Sequence, residues 1–505
     1  MKTHLAFLNR NNPRKRKYSK IINELLMETY IIHLNELRHP DNIKNLLVDK
    51  LCSKDFFSSD GSVSQRLISF LNKLRDGLCV VVETDYVDKD YRDAYYKLYS
   101  TKLRDYERNC MRLSFFNETL QPLLENIDTT TDDNVQQLKD GYLGFVVLRP
   151  LKQCIGRNII SPLAMKHGND LSLCGIRVHT SCMGLKLEAW GFPHASQDGQ
   201  LMTCAETTVW AISEYFGEKY SHYSRVYPHG IVDMLRDSVY ERQIPSHGLT
   251  YEMISRALQR QHFECKVYNK ANGRFRELFN CYVESEFPLA VALEGDDTKG
   301  THFGHALVCV GQKKHGRDLI NTVTPNTINS VNIYNWNKVP SIFVSIDDNM
   351  APYQQFDFDH PTIHYNNPDW NNTKVTCFIV PLHPKIYVEA EEAIGISEQH
   401  IAYTHTAGNE LYVRTLLTTS RSYRDYIVRN NVIPSTTKEM LLGLNLPKFV
   451  WVTEISDKVN FLSEKVNEVL LIDATADTND GLNAVIEHLG FTTPVESFSN
   501  LKKIN

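Results

Sequence analysis

The sequence predicts an α+β protein built in more than one part, and three observations carry that prediction. Apolar residues recur at helical spacing through the first 140 residues. The period then shortens to the alternation of strands, and from about residue 366 onward strand and helix patterns take turns. With 505 residues, 42% of them hydrophobic and 23% charged, the chain is long enough for several cores and ordinary in composition for a globular protein.

Residues 1–140 read as mostly helical. "IINELLMETYIIHLNEL" and "VSQRLISFLNKLRDGL" have amphipathic spacing, and Tyr91, Tyr95 and Tyr99 fall on one helix face as a packed aromatic seam. "DTTTDDNVQQLKDG" (128–141) reads as a linker. The region 141–365 opens on the strand-like "YLGFVVLRP", "LCGIRVHT" and "MGLKLEAWG". Helical patterns follow from Cys204 to Tyr215, ended by Gly217, and over 250–261. Then come the strands "FPLAVALEG", "GHALVCVGQ" and "SIFVSID", and the polar, aromatic "DFDHPTIHYNNPDWNNTK" closes the region. Residues 366–505 alternate strand and helix and read as an α/β unit.

A formal net charge of −5 argues against nucleic acid as the principal partner, and the basic run "RNNPRKRKYSK" (10–20) reads as a solvated leader. No segment approaches the roughly 20 apolar residues that span a bilayer. The first residues lack the apolar core of a secretory signal, and eleven scattered cysteines suit a reducing, cytosolic compartment. The sequence holds no CxxC, HExxH, GxxxxGK[ST] or GxGxxG, so no metal or nucleotide cofactor is expected. Cys174, His179 and Cys182 fit no zinc spacing.

One cysteine stands apart. In "SQDGQLMTCAETTVW", Thr203 and Glu206 form the Ser/Thr-x-x-Glu capping box, which places Cys204 in the first turn of a helix. The unpaired N–H groups there favour an anion, thiolate is the nucleophilic form of cysteine, and the same groups can hold an oxyanion. A nucleophilic cysteine needs a base, and the base needs an orienting group. His305 opens the strand of "GHALVCVG" and can project into a cleft, whereas His302 lies in the preceding loop. The strand "SIFVSIDDN" ends in two carboxylates. Asp347 closes its alternation and is preferred as the orienting acid, and Asp348 is the alternative, one residue deeper in the turn. His229, His247 and Asp296 lie between the cysteine and the histidine, in loops suited to line a cleft.

The pieces "QDGQLMTCAETTVW", "GHALVCVG" and "FVSIDDN", in that order, resemble the papain-like cysteine peptidase superfamily, in particular its bacteriocin-processing branch. The resemblance covers about 190–360, a third of the chain. It implies a papain-like domain, a helix packed on an antiparallel sheet, with Cys204 as nucleophile, His305 as general base and Asp347 as orienting acid. It also implies an upstream glutamine as oxyanion donor. The family's glutamine lies six residues before the cysteine; here Gln197 lies seven before and Gln200 four before, and Gln197 is preferred. The implied activity is hydrolysis of a peptide or isopeptide bond in a protein or peptide substrate, without cofactor or membrane. The same three groups serve transglutaminases, acyltransferases and deamidases. A sensor or scaffold with a degenerate peptidase fold, or a protease held quiet by a regulatory partner, would also accommodate the flanking regions.

Overall fold

The computed structural model describes residues 29–47, 61–129, 131–238, 244 and 248–498; the basic run at 10–20 and His247 lie outside them. The first sheet runs in chain order through β1 (Thr29–His33), β2 (Leu78–Tyr86), β3 (Cys110–Asn117), β4 (Tyr142–Leu148) and β5 (Ile155–Ile160), each antiparallel to the next. β4 is buried along its whole length and β2 along most of it, which is why they read as continuous apolar runs.

The region before residue 140, expected to be mostly helical, is therefore organised around strands. "TYIIH" fits helical spacing, yet its isoleucines sit on the edge of β2, from Thr29 opposite Glu83 to His33 opposite Cys79. The Gly61–Lys73 helix does form and buries Leu67, Phe70 and Leu71. The stretch read as a linker contains the Asp132–Asp140 helix, capped by Thr131 and anchored by buried Leu138. The tyrosine seam packs on the Lys89–Lys97 helix and the turn after it, with Tyr91 6.2 Å from Tyr95 and 6.0 Å from Tyr99.

A hairpin of β7 (Ile176–Cys182) and β8 (Leu185–Gly191) turns through Met183 and Gly184, both at positive φ, as a type I′ turn demands. The second sheet has the order β15 (Gln354–Phe356), β14 (Phe343–Ile346), β11 (His302–Lys313), β10 (Leu289–Asp296), β16 (Lys374–Leu382) and β9 (Glu264–Asn269), all antiparallel, with β6 (Leu171–Leu173) added to the end of β11. Against β11 packs the Cys204–Lys219 helix, buried almost all round. Gly217 does not end this helix. Its place is set by crowding, since a Cβ there would lie 2.7 Å from the Arg225 amide nitrogen. Arg157 on β5 pairs with Glu214 of the helix at 2.7 Å, and Arg225 joins Glu214 to Asp90, which ties the helix to the first sheet.

The third sheet has the order β12 (Asn326–Ile328), β13 (Val331–Asn335), β17 (Glu410–Thr419), β18 (Phe449–Ser456), β19 (Lys465–Asp473) and β20 (Val485–Glu496). Only β13 and β17 run parallel. The alternation of strand and helix after residue 366 thus builds an antiparallel sheet rather than a parallel one. The connections return each strand beside its predecessor, and β18 and β19 are joined by the short Lys458–Leu462 helix.

Sheet membership crosses the sequence positions 140/141 and 365/366. β4 and β5 belong to the first sheet, β12 and β13 to the third, and β16 lies inside the second. A continuous core joins buried apolar residues from Leu34 to Ala484. Among the described residues no helix is long and apolar enough to cross a membrane.

Candidate active site

Cys204 is the first residue of its helix. Glu206 accepts the backbone N–H of Thr203 at 3.1 Å and its hydroxyl as well, the capping box foreseen from the sequence. The preceding loop is wound around Asp198, whose Oδ1 accepts the backbone N–H groups of Gln200, Leu201 and Met202 at 2.8–2.9 Å. Eight of the ten described cysteines are buried; Cys204 and Cys265 are half-buried. Burial pushes the thiols of Cys79, Cys154, Cys309 and Cys377 up to about 12, which keeps them protonated at neutral pH.

Cys204 is near enough to His305 to help raise its imidazole's pKa. His305 is carried by β11, which begins at His302 rather than at His305. The ring's Nε2 donates to Asp347 Oδ1 at 3.1 Å, and Tyr365 Oη lies 3.2 Å from the same nitrogen. Nδ1 is therefore left for the thiol. Burial alone would depress the imidazole's pKa, but Asp347 and Cys204 together hold it well above the ordinary value.

Asp347 follows the last residue of β14 and is fully buried. Its Oδ1 accepts from His305, from Tyr365 Oη at 3.0 Å and from the Asn349 N–H at 3.0 Å; its Oδ2 accepts from His364 Nε2 at 3.0 Å. Burial would raise this carboxyl, yet His305 and His364 hold it far below the usual carboxylate range. Asp348 is also buried, but neither of its carboxylate oxygens has a hydrogen-bond partner. Burial, reinforced by the neighbouring Asp347 and opposed by His305, lifts it to about 7.

The other sequence candidates fall in different places. Gln197 donates from Nε2 to Asn349 Oδ1 at 2.8 Å, beside the Asp347 turn, which spends one of its two amide hydrogens. Gln200 turns away and accepts from Lys102 Nζ at 2.9 Å. His302 pairs with Asp296 at 3.1 Å on the exposed start of β11. His229 pairs with Asp233 at 3.0 Å. The structure thus brings together Cys204, His305, Asp347 and Asp348, sets Gln197 at their edge, and leaves Gln200, His229 and Asp296 to other contacts.

Two groups of residues were not foreseen. His364, Tyr365 and Trp370 come from the segment read as a closing stretch, which instead forms a wall of the site. Trp370 stacks on Tyr365 at 3.9 Å and stands edge-on to His305 at 5.2 Å. Two histidines, a tyrosine and a tryptophan crowded into one turn-rich stretch were the signal available. His194 lies behind the site, fully buried, and carried no signal. Asn158 donates to its Nδ1 at 2.8 Å, so its Nε2–H donates to the Asp347 carbonyl at 3.1 Å. Burial lowers its pKa to about 4 and keeps the ring neutral.

A thiol at a helix start, an imidazole whose pKa it helps to raise, and a carboxylate bonded to that imidazole are a nucleophile, a base and an orienting group, the set that nucleophilic catalysis by cysteine uses. No protein-family model matches the chain, and no curated protein is similar to it.

Proposed function

We propose that the protein is a papain-like cysteine peptidase that hydrolyses a peptide or isopeptide bond of a protein or peptide substrate in a reducing, cytosolic setting. One observation carries this reading: Nε2 of His305 is committed to Asp347 and Tyr365, which leaves the other ring nitrogen for the thiol of Cys204, the first residue of a buried helix, whose influence helps raise the imidazole's pKa.

In the reaction His305 takes the thiol proton, and the Cys204 thiolate adds to the substrate carbonyl carbon. The oxyanion that forms meets the N–H groups of the first helical turn, each such donor being worth about 3 kcal/mol, and the amide hydrogen of Gln197 not given to Asn349 is the further donor in this reading. The tetrahedral adduct collapses as His305 protonates the leaving amine, giving a thioester on Cys204. A water then loses a proton to His305, adds to the thioester, and the acid leaves as the thiol is restored. Asp347 remains ionised throughout and stabilises the imidazolium.

The test is the rate of iodoacetamide alkylation at each cysteine from pH 5 to 9, read by peptide mass spectrometry in wild type and His305→Ala. Cys204 should react at least 10-fold faster than the other thiols, stay reactive below pH 7, and lose that advantage in His305→Ala. A Cys204 that reacts no faster than its neighbours in the wild type would sink the reading. Incubation with a peptide substrate and a labelled primary amine then separates hydrolysis from acyl transfer, and hydrolysis is the expected outcome.

A further inference from the structure

We propose that the outward face of the Lys89–Lys97 helix is a docking site for an acidic segment of a partner protein, one in which an aromatic or aliphatic residue stands between two carboxylates. The helix buries Tyr91 and Ala94. Lys89, Arg92, Asp93, Tyr96 and Lys97 recur at the helical spacing that gathers them on another face. There they wall an open groove of about 460 Å³, with Val87 and Tyr227 as its remaining apolar lining.

The groove offers both kinds of contact that a peptide uses. Val87 and Tyr96 are each 56% exposed, so two large apolar side chains face solvent in one place. Of the charges, Asp93 is already engaged, because its carboxylate accepts the His229 N–H at 2.9 Å in the first turn of the Pro228–Met234 helix. Among the described residues Lys89 and Lys97 take part in no ion pair, and the Arg92 guanidinium donates to the neutral side chain of Asn109. Three cations thus lack a counter-ion in a chain whose formal net charge is −5. An anionic segment is attracted to this face and repelled by the rest of the surface.

Spacing selects the occupant. Lys89 and Lys97 open and close the helix, so they lie about 12 Å apart along its axis. A peptide lying extended in the groove advances about 3.3 Å per residue. The carboxylates that meet the two lysines therefore stand about four residues apart, and the residue midway points the same way as they do. That residue meets the apolar wall of Val87, Tyr96 and Tyr227. Nucleic acid fits less well, because three cations make too small a phosphate footprint to hold it at physiological salt. Docking here is independent of the chemistry at Cys204.

The test uses the full chain as Cys204→Ala, so that no probe is hydrolysed, and fluorescence anisotropy at low salt with labelled nonapeptides. One probe carries Glu-Ser-Phe-Ser-Glu between Gly-Ser flanks; the others replace Phe by Ser, or both Glu by Lys. The first should bind at least 10-fold more tightly than either of the others. Lys89→Glu/Lys97→Glu should weaken it at least 10-fold and take up the lysine probe instead, and Tyr96→Ser should remove the preference for Phe. Zero-length carbodiimide coupling checks the contact without a change in the groove: the probe's glutamates should be joined to Lys89 and Lys97. Equal binding by the parent and the charge-reversed chain, or coupling mainly to other lysines, would overturn the site. An oligothymidylate that binds more tightly than the peptide would overturn it too, since the groove would then serve nucleic acid.

Discussion

His194 Nε2 lies 3.1 Å from the backbone carbonyl of Asp347, so a fully buried imidazole holds the turn that aims the site's carboxylate. The other ring nitrogen is held by Asn158 of β5, and the two residues also exchange backbone hydrogen bonds at 2.8 and 3.1 Å. The first sheet thus reaches the end of β14 through one side chain, and the position of Asp347 depends on a sheet that contributes no chemistry of its own.

That burial makes His194 an acid-sensitive point. Its pKa is about 4 folded against 6.5 for a solvated histidine. As pH falls below 6.5 the unfolded chain takes up the proton and the folded one does not, so stability declines down to pH 4 by about 3 kcal/mol. Above 6.5 the residue has no pH effect. His194→Gln keeps a donor for Asp347 and an acceptor for Asn158 but cannot titrate. Urea unfolding at pH 7, 5.5 and 4.5 should show a shallower acid decline in the variant, and an unchanged slope would clear His194 of this role.

How far the sequence showed all this depends on the kind of signal. Cys204 was legible because helix capping is local: Thr203 and Glu206 mark the first turn without help from the rest of the fold. Asp347 was legible because a strand end is marked by a change of period, whereas His305, read as a strand start, lies three residues inside β11. His194 and Asn158 were not legible, because a buried polar pair is written nowhere until two distant segments meet. The strand "TYIIH" was misread because five residues fit both periods, and pairing with β2 decides between them. His364, Tyr365 and Trp370 lie in 3-10 turns with no periodicity at all, so only their composition spoke for them.

Asp347→Asn tests the electrostatics of the pair. With the carboxylate present, His305 holds its proton well above its ordinary value; it adds stability in full below 6.5 and loses it as pH rises through the raised value. Asp347 adds stability above 3.8 and loses it as pH falls through its lowered value. The pair therefore stabilises across the whole neutral range. In Asp347→Asn the ring should lose its proton at lower pH, moving the alkaline limb of peptide hydrolysis downward, and kcat should fall by about 10² or more. A variant with the wild-type pH profile would remove Asp347 from the mechanism.

Tyr365 and Trp370 separate hydrogen bonding from shielding. Tyr365→Phe removes a hydroxyl that donates to Asp347 and accepts from Asn349 Nδ2 at 3.0 Å, but keeps the ring stacked on Trp370. It should cost about 1 kcal/mol of stability and less than about 10-fold in kcat. Trp370→Ala strips the ring that stands edge-on to His305 and lets water compete for its bond to Asp347. Steady-state kinetics at pH 7 should therefore show the larger loss in Trp370→Ala; the reverse order would mean that the hydroxyl, not the cover, matters.

Glu83 and Arg112 bear on the scaffold rather than the chemistry. Both are almost completely buried; Arg112 Nε donates to Glu83 at 2.6 Å, and its Nη1 donates to Thr180 at 2.9 Å, joining the first sheet to the β7–β8 hairpin. Burial raises the Glu83 carboxyl even with the guanidinium beside it, a sign that desolvation outweighs the attraction. The pair should therefore matter more when broken than when replaced. Glu83→Ala leaves a buried guanidinium without its counter-ion and should destabilise by about 3–5 kcal/mol in urea unfolding. The double variant Glu83→Leu/Arg112→Met removes both charges and should recover most of that loss. If the double variant is as unstable as Glu83→Ala, the contacts of Arg112 with Thr180 and Ser181, rather than the ion pair, hold the hairpin in place.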